Sequence, residues 1–168
     1  MIRPATPDDK KALMAIADAI GLFKPQELEE LGGMLAEYFD GNLGSDCFWI
    51  TYDDGGPVGV AYYAPEPYAD GTWNLYFIAI HPDHQGKGLG TKLLHHVEQM
   101  LTERGERLLL VETSGLPNFE GTRAFYRKHG YEEEARIREF YRAGDDKIIF
   151  RKALTASRSI PHPTIKNS

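Results

Sequence analysis

Apolar positions recur at helical spacing in four stretches of this chain, and in alternation or short blocks in seven others. Leu13, Ile16, Ala17 and Ile20 share one helix face, after a threonine cap and acidic first turn at Thr6, Pro7, Asp8 and Asp9. Gly21 ends that helix. Leu28, Leu31, Leu35 and Tyr38 form the stripe of a second helix starting at Pro25. Its other side carries Glu27, Glu29, Glu30 and Glu37, a solvated face or, for one of them, a contact to a cationic substrate. Strands are expected at 2–5, 47–52, 57–64 and 72–80. The turns at 53–56 and 68–71 have hairpin composition, so the last three strands should be antiparallel neighbours. Leu89, Leu93, Val97 and Leu101 mark a third helix over 88–103. The run Leu108, Leu109, Leu110 and Val111 then predicts a strand over 107–113 buried on both faces. A helix over 119–129 and strands at 131–141 and 147–152 complete the pattern, with Gly144, Asp145 and Asp146 as the last turn.

The resulting order, βααβββαβαββ, predicts an α/β (α+β) fold. Its centre is a mixed, mainly antiparallel sheet of about seven strands with helices on both faces. No internal repeat and no second domain are evident. Residues 1–154 are expected to form one domain, and 155–168, with two prolines, a flexible C-terminal tail.

Composition narrows the function classes. A length of 168 residues suffices to bury roughly two-thirds of the unfolded surface. The net charge of −6 argues against nucleic acid and is compatible with a cationic small molecule or basic peptide. One cysteine, Cys47, excludes an intrachain disulfide and suits a reducing cytoplasm. Its neighbours Phe48, Trp49 and Ile50 make it a buried strand thiol. No apolar stretch approaches the roughly 20 residues of a membrane span, and the amino terminus has no signal-peptide core.

Between the strand at 72–80 and the third helix stand Gln85, Gly86, Lys87, Gly88, Leu89 and Gly90. Glycines at a strand-to-helix turn expose backbone N–H groups, and the helix N-terminus adds partial positive charge. The alternative is a simple turn with glycines for tight packing. A dinucleotide fingerprint needs a further glycine where Thr91 stands. A P-loop needs glycine in place of His81 and Ser or Thr in place of Gly88. Both nucleotide motifs are therefore excluded, and a nucleotide-binding regulator is the weakest reading.

What remains, Gln-x-x-Gly-x-Gly, resembles the acetyl-CoA signature Gln/Arg-x-x-Gly-x-Gly/Ala of the GNAT N-acetyltransferase superfamily. Gln85, Gly88 and Gly90 stand in the matching places. Ile78, Ala79, Ile80, His81 and Pro82 look like that family's fourth strand and its exit. A second block, Glu112-Thr113-Ser114, Asn118 and Thr122 to Tyr131, is similar to the family's strand, helix and Phe-Tyr-x-x-x-Gly-Phe/Tyr segment. The resemblance covers roughly 1–154.

The resemblance implies acetyl-CoA as co-substrate, with its pyrophosphate on Gln85, Gly86, Lys87, Gly88, Leu89, Gly90 and Thr91. It places the oxyanion donor on the backbone edge of Ile78, Ala79 and Ile80. Tyr126 becomes the general acid toward the departing thiolate, and Asn118 a weaker cofactor contact displaced by one position from the family pattern. Direct transfer also requires a neutral amine. A lysine-like group of pKa about 10.4 costs about 4.6 kcal/mol to deprotonate at pH 7. Glu112 is the first candidate base, with a structural role at a strand end as the alternative. A base on the fourth strand is not expected, because Asn74 stands there and cannot ionise. His81 and His84 are lesser candidates. No metal site is implied, since adjacent His95 and His96 point apart on a helix. The expected acceptor is a primary amine of a small molecule or peptide N-terminus, and a homodimer is compatible with the family. The rival is a non-catalytic acyl-CoA-binding sensor or interaction module.

Overall fold

The computed structural model describes residues 1–41 and 46–154. The expected tail at 155–168 lies outside the described residues. The chain begins with strand β1 (Ile2–Pro4), a 3-10 turn, and helices α1 (Lys10–Ala19) and α2 (Pro25–Phe39). The acidic turn before α1 does more than cap it. Asp9 accepts from the Thr6 backbone N–H at 2.7 Å and receives both terminal nitrogens of Arg3 at 2.7 and 2.9 Å. Arg3 Nε reaches Asp53 at 2.9 Å, so one guanidinium joins β1, the start of α1 and the end of the next strand.

This grip has a pH signature. The Arg3 hydrogen bonds hold the Asp9 carboxyl down at about 2, against an ordinary 3.8. Because the folded value is depressed, the stabilisation is complete above about pH 4 and disappears as the pH falls toward 2. Urea unfolding at pH 5 and pH 2.5 should show Asp9→Asn costing on the order of 2 kcal/mol at the higher pH and much less at the lower. An equal cost at both values would refute the assignment.

Strands β2 (Phe48–Asp53), β3 (Pro57–Pro65) and β4 (Thr72–Ile80) follow, then α3 (Leu89–Glu103), β5 (Leu108–Ser114), α4 (Glu120–Lys128), β6 (Glu132–Arg142) and β7 (Asp145–Ala153). The sheet order is β1-β2-β3-β4-β5-β7-β6, antiparallel except for β4 against β5. This is the expected mixed seven-stranded architecture. Leu93, Leu94, Val97 and Leu101 of α3 bury one sheet face together with Tyr126 of α4, Leu109, Val111, Ile148 and Phe150. The opposite face packs Leu13, Ile16 and Ala17 of α1 and Leu31 and Leu35 of α2 against Trp49, Val60 and Tyr62.

Two long-range features shape the centre of the sheet. On β4, Leu75 faces Tyr63 and Phe77 faces Tyr62, so Tyr76 is an extra, bulged residue. The bulge reverses the side-chain alternation. Trp73 and Leu75 before it, and Ile78 and Ile80 after it, all point toward α3, while Phe77 and Ala79 point toward α1. The second feature is the parallel β4–β5 pairing, which runs only from Thr72–Leu108 to Leu75–Val111. Beyond it the strands part, β5 continuing along β7 as far as Ser114.

Three expectations change. β5 is not buried on both faces: Leu109 and Val111 are fully buried, while Leu110 and Glu112 are half-buried on a face that α1 and α2 do not cover. β7 starts at Asp145, leaving Ala143 and Gly144, with φ 79°, as the turn. Cys47 is half-buried just ahead of β2 rather than within it.

Candidate active site

The parting of β4 from β5 opens a cleft of about 540 Å³ floored by Ile78, Ala79 and Ile80. Its rim is the turn into α3, through His84, Gln85, Gly86, Gly88, Leu89, Gly90 and Thr91. Gly86 and Gly88 have φ of 78° and 77°, a left-handed backbone that a side chain disfavours. Gly88 is the N-cap of α3, and no side chain among the described residues caps that end, which leaves its first N–H groups to a ligand. Gly90 needs no unusual conformation, and an added Cβ would meet only Phe125 and Ile80 at 3.8 and 4.0 Å. Its lack of a side chain keeps the cleft wall low. Gln85 turns back and donates to the Ile80 carbonyl at 3.0 Å, pinning the turn to the strand end. His84 brings a buried Nδ1 with no partner among the described residues. Exposed backbone donors, a helix N-terminus and an unpartnered imidazole nitrogen together suit a phosphate-bearing ligand.

A second cleft of about 320 Å³ continues from the first on the sheet face left bare beside α2. The two share Ile20, Leu22, Ile78, Thr122 and Tyr126. Tyr126 is only 4% exposed, set among Phe125, Tyr131 and Phe150 with ring centroids 5.3, 5.6 and 6.0 Å away. Burial alone pushes its phenol far above the ordinary value, so it is a donor at any physiological pH. The second cleft also presents Glu27, Tyr76, Glu112, Tyr141, Arg142 and Asp145.

The parting strands also bring five polar side chains together under that cleft. Asn74, 1% exposed, donates its amide to Glu66 Oε1 at 2.9 Å and to Glu112 Oε1 at 3.1 Å. Tyr76 donates its hydroxyl to Glu66 Oε1 at 3.0 Å. Lys147 holds the other Glu112 oxygen at 3.0 Å and rests over the Phe140 ring at 4.0 Å.

Comparison with known proteins agrees with this geometry. A family model described as an acetyltransferase (GNAT) domain matches residues 44–133. A crystal structure of a GNAT-family protein from Desulfovibrio desulfuricans is 34% identical with a TM-score of 0.87, over 92% of this chain and 99% of that one. The chain belongs to the GNAT acetyltransferase family. Its GNAT domain marks it as an acetyl-CoA-dependent N-acetyltransferase. Two more distant GNAT structures share its fold. The ribosomal-protein-S18-alanine N-acetyltransferase from Escherichia coli has TM-score 0.75 and 22% identity over 95% of this chain and 97% of its own. The PaiA N-acetyltransferase from Thermoplasma acidophilum, in complex with coenzyme A, has TM-score 0.70 and 17% identity over 91% and 98%. No curated protein matches the sequence.

Among the residues named from sequence, this GNAT fold gathers Ile78, Ala79, Ile80, Gln85, Gly86, Gly88, Leu89, Gly90, Thr91 and Tyr126 around the first cleft. Lys87 is exposed and outside the cleft lining, and exposed Asn118 lines neither cleft. Glu112 lies in the second cleft with both oxygens engaged. His81 Nδ1 accepts from the Asp83 backbone N–H at 3.1 Å, a local turn contact. Sequence reasoning missed Glu66 and Tyr76. Glu66 follows the end of β3 and Tyr76 occupies a bulge, and neither carries a motif. No group of His, Cys, Asp and Glu among the described residues could hold a metal ion. No helix there is long and apolar enough to cross a membrane.

Proposed function

We propose that residues 1–154 form one N-acetyltransferase domain that moves the acetyl group of acetyl-CoA directly to a primary amine, of a small molecule or a peptide N-terminus. The observation that carries this is Tyr126, the buried phenol shared by both clefts. The first cleft suits the donor. Gly86 and Gly88 and the uncapped N-terminus of α3 offer N–H groups to the pyrophosphate, and the unpaired edge of β4 at Ile78, Ala79 and Ile80 offers donors to the pantetheine arm and thioester oxygen. Bound acetyl-CoA supplies an activated acyl carbon and a thiolate leaving group. Tyr126 protonates that thiolate. Lys87 contributes long-range positive charge rather than a fixed contact.

The second cleft suits a cationic acceptor, because Glu27, Glu112 and Asp145 in its wall outnumber Arg142 and the Lys147 that pairs with Glu112. Neighbouring folds carry names specifying ribosomal-protein alanine and aminoglycoside acceptors, both amines. The single thiol, Cys47, is consistent with work in the cytoplasm.

Release of CoA thiol from acetyl-CoA should require an added amine and should occur with at least one of spermidine, kanamycin and a hexapeptide with a free amino terminus. A flat response to all three, with acetyl-CoA still bound in calorimetry, would instead favour an acyl-CoA-binding module.

A further inference from the structure

The family's chemistry needs a proton sink for the incoming ammonium, and the two carboxylates beneath the acceptor cleft are not equivalent. Glu112 has one oxygen on the Asn74 amide and the other on the Lys147 ammonium at 3.0 Å. A carboxylate so engaged would have to break an ion pair whose lysine side chain is only 13% exposed to take a proton. Glu66 differs. Its Oε1 receives the Asn74 amide and the Tyr76 hydroxyl, and no cation lies within ion-pair distance of it among the described residues. Its Oε2 has no hydrogen bond there. Glu66 does not itself line the cleft, but Tyr76 does, and Tyr76 is 47% exposed.

We infer that Tyr76 and Glu66 form the proton relay for the acceptor, Tyr76 touching the amine and Glu66 acting through it, with Glu112 held out of this role by Lys147. This rests on the acetyl-transfer reading above. In the step, the ammonium passes one proton to the Tyr76 oxygen as the phenolic proton moves to Glu66 Oε1, leaving a neutral amine and a neutral Glu66 carboxyl. The amine nitrogen then bonds to the thioester carbon. As the C–S bond breaks, the thiolate takes the Tyr126 proton. The nitrogen releases its surplus proton to solvent, from which Tyr126 is reprotonated, and Glu66 returns its proton to solvent through Tyr76.

The surroundings keep Tyr76 a bridging donor. Burial and the Glu66 hydrogen bond push the Tyr76 phenol up to about 12, so it remains protonated and bridges rather than ionises. Tyr62 of β3 packs on it with ring centroids 5.7 Å apart, and Cys47 lies against the Tyr62 hydroxyl. The other charged or titratable groups around the cluster are Glu112 of β5, Lys147 of β7, and Tyr141 of β6, which feels Glu112 and Asp145. None of these puts a cation on Glu66. Asn74 and Tyr76, two residues apart, project from the same face of β4, which brings both to the one Glu66 oxygen.

The test is the pH dependence of kcat/KM between pH 6 and 10.5, using whichever of spermidine, kanamycin and the hexapeptide reacts fastest. Glu66→Gln should fall about a hundredfold at pH 7 and regain about tenfold per pH unit, approaching wild type where the amine is neutral. Tyr76→Phe should show the same displaced profile, and Glu66→Asp a partial return. Acetyl-CoA affinity should be unchanged in all three. Glu112→Gln should change the rate by a few-fold with no displacement of the profile. A purely structural role for Glu66 would lower the rate equally at every pH. That result, or a displaced profile in Glu112→Gln alone, overturns the relay. If Glu66→Gln fails to fold, Tyr76→Phe decides, since a half-exposed phenol tolerates loss of its hydroxyl. No CoA release by the wild type at any pH overturns the acetyl-transfer reading and the relay with it. Release with unshifted variant profiles overturns only the relay.

Discussion

Replacing Tyr126 by phenylalanine is expected to lower kcat for acetyl transfer about 10²–10³-fold, with acetyl-CoA affinity within about twofold of wild type. The departing thiolate has a conjugate acid near 8.5, and a phenol of ordinary pKa about 10 already donates to it usefully. Burial holds the Tyr126 phenol still higher, which keeps its proton in place until sulfur acquires charge. The hydroxyl makes no hydrogen bond to the described residues, so its loss removes no structural contact and leaves the ring packing with Phe125, Tyr131 and Phe150 intact. Steady-state kinetics together with calorimetric titration of acetyl-CoA separate the two quantities. An unchanged kcat would remove Tyr126 from the chemistry and leave it a core residue. Loss of binding in proportion to rate would make it a cofactor contact.

The second large effect belongs to Phe150. It is fully buried in β7, packs its ring against Tyr126 at 6.0 Å and lies beneath the Arg127 guanidinium at 5.6 Å. Truncation to alanine removes most of a large side chain from a cluster that also holds Leu93, Leu109, Val111 and Ile148. The expected loss is about 3–5 kcal/mol of stability, and for a chain of this size a fall in Tm on the order of 10 °C. Because Phe150 is part of the wall that sets the Tyr126 ring, kcat should fall at temperatures where the variant is still folded. Phe150→Leu, which refills most of the volume, should recover the greater part of both. Thermal unfolding and kcat measured well below Tm check the pair. A destabilised Phe150→Ala enzyme with wild-type kcat would show that Phe125 and Tyr131 position the phenol without help.

The residues around the first cleft were largely visible in the sequence, and those around the second were not. Gln85, Gly86, Gly88 and Gly90 shape the rim of the first cleft through backbone conformation and a helix end, both properties of a few consecutive residues. Spacing alone could therefore separate this turn from the two nucleotide motifs. Tyr126 was also readable, because its helix and Gly130 form a local unit. Lys87 shows the limit of the same approach. Its charge is obvious in sequence, yet the turn carries its side chain to the exterior. Glu112 was named through the family resemblance, at the end of the fifth strand, but nothing in the local sequence announces Lys147 from β7 as its partner.

By itself, the sequence determined the order βααβββαβαββ, the faces of the first three helices and the glycine turn, because each depends on neighbours within one or two turns of chain. Only the tertiary structure decided how far β4 accompanies β5, that Tyr76 bulges, and that Asn74 stands between Glu66 and Glu112. Those outcomes depend on registers between strands distant in the chain. A shift of one residue in such a register exchanges the two faces of a strand, and no periodicity within one strand records its partner's register.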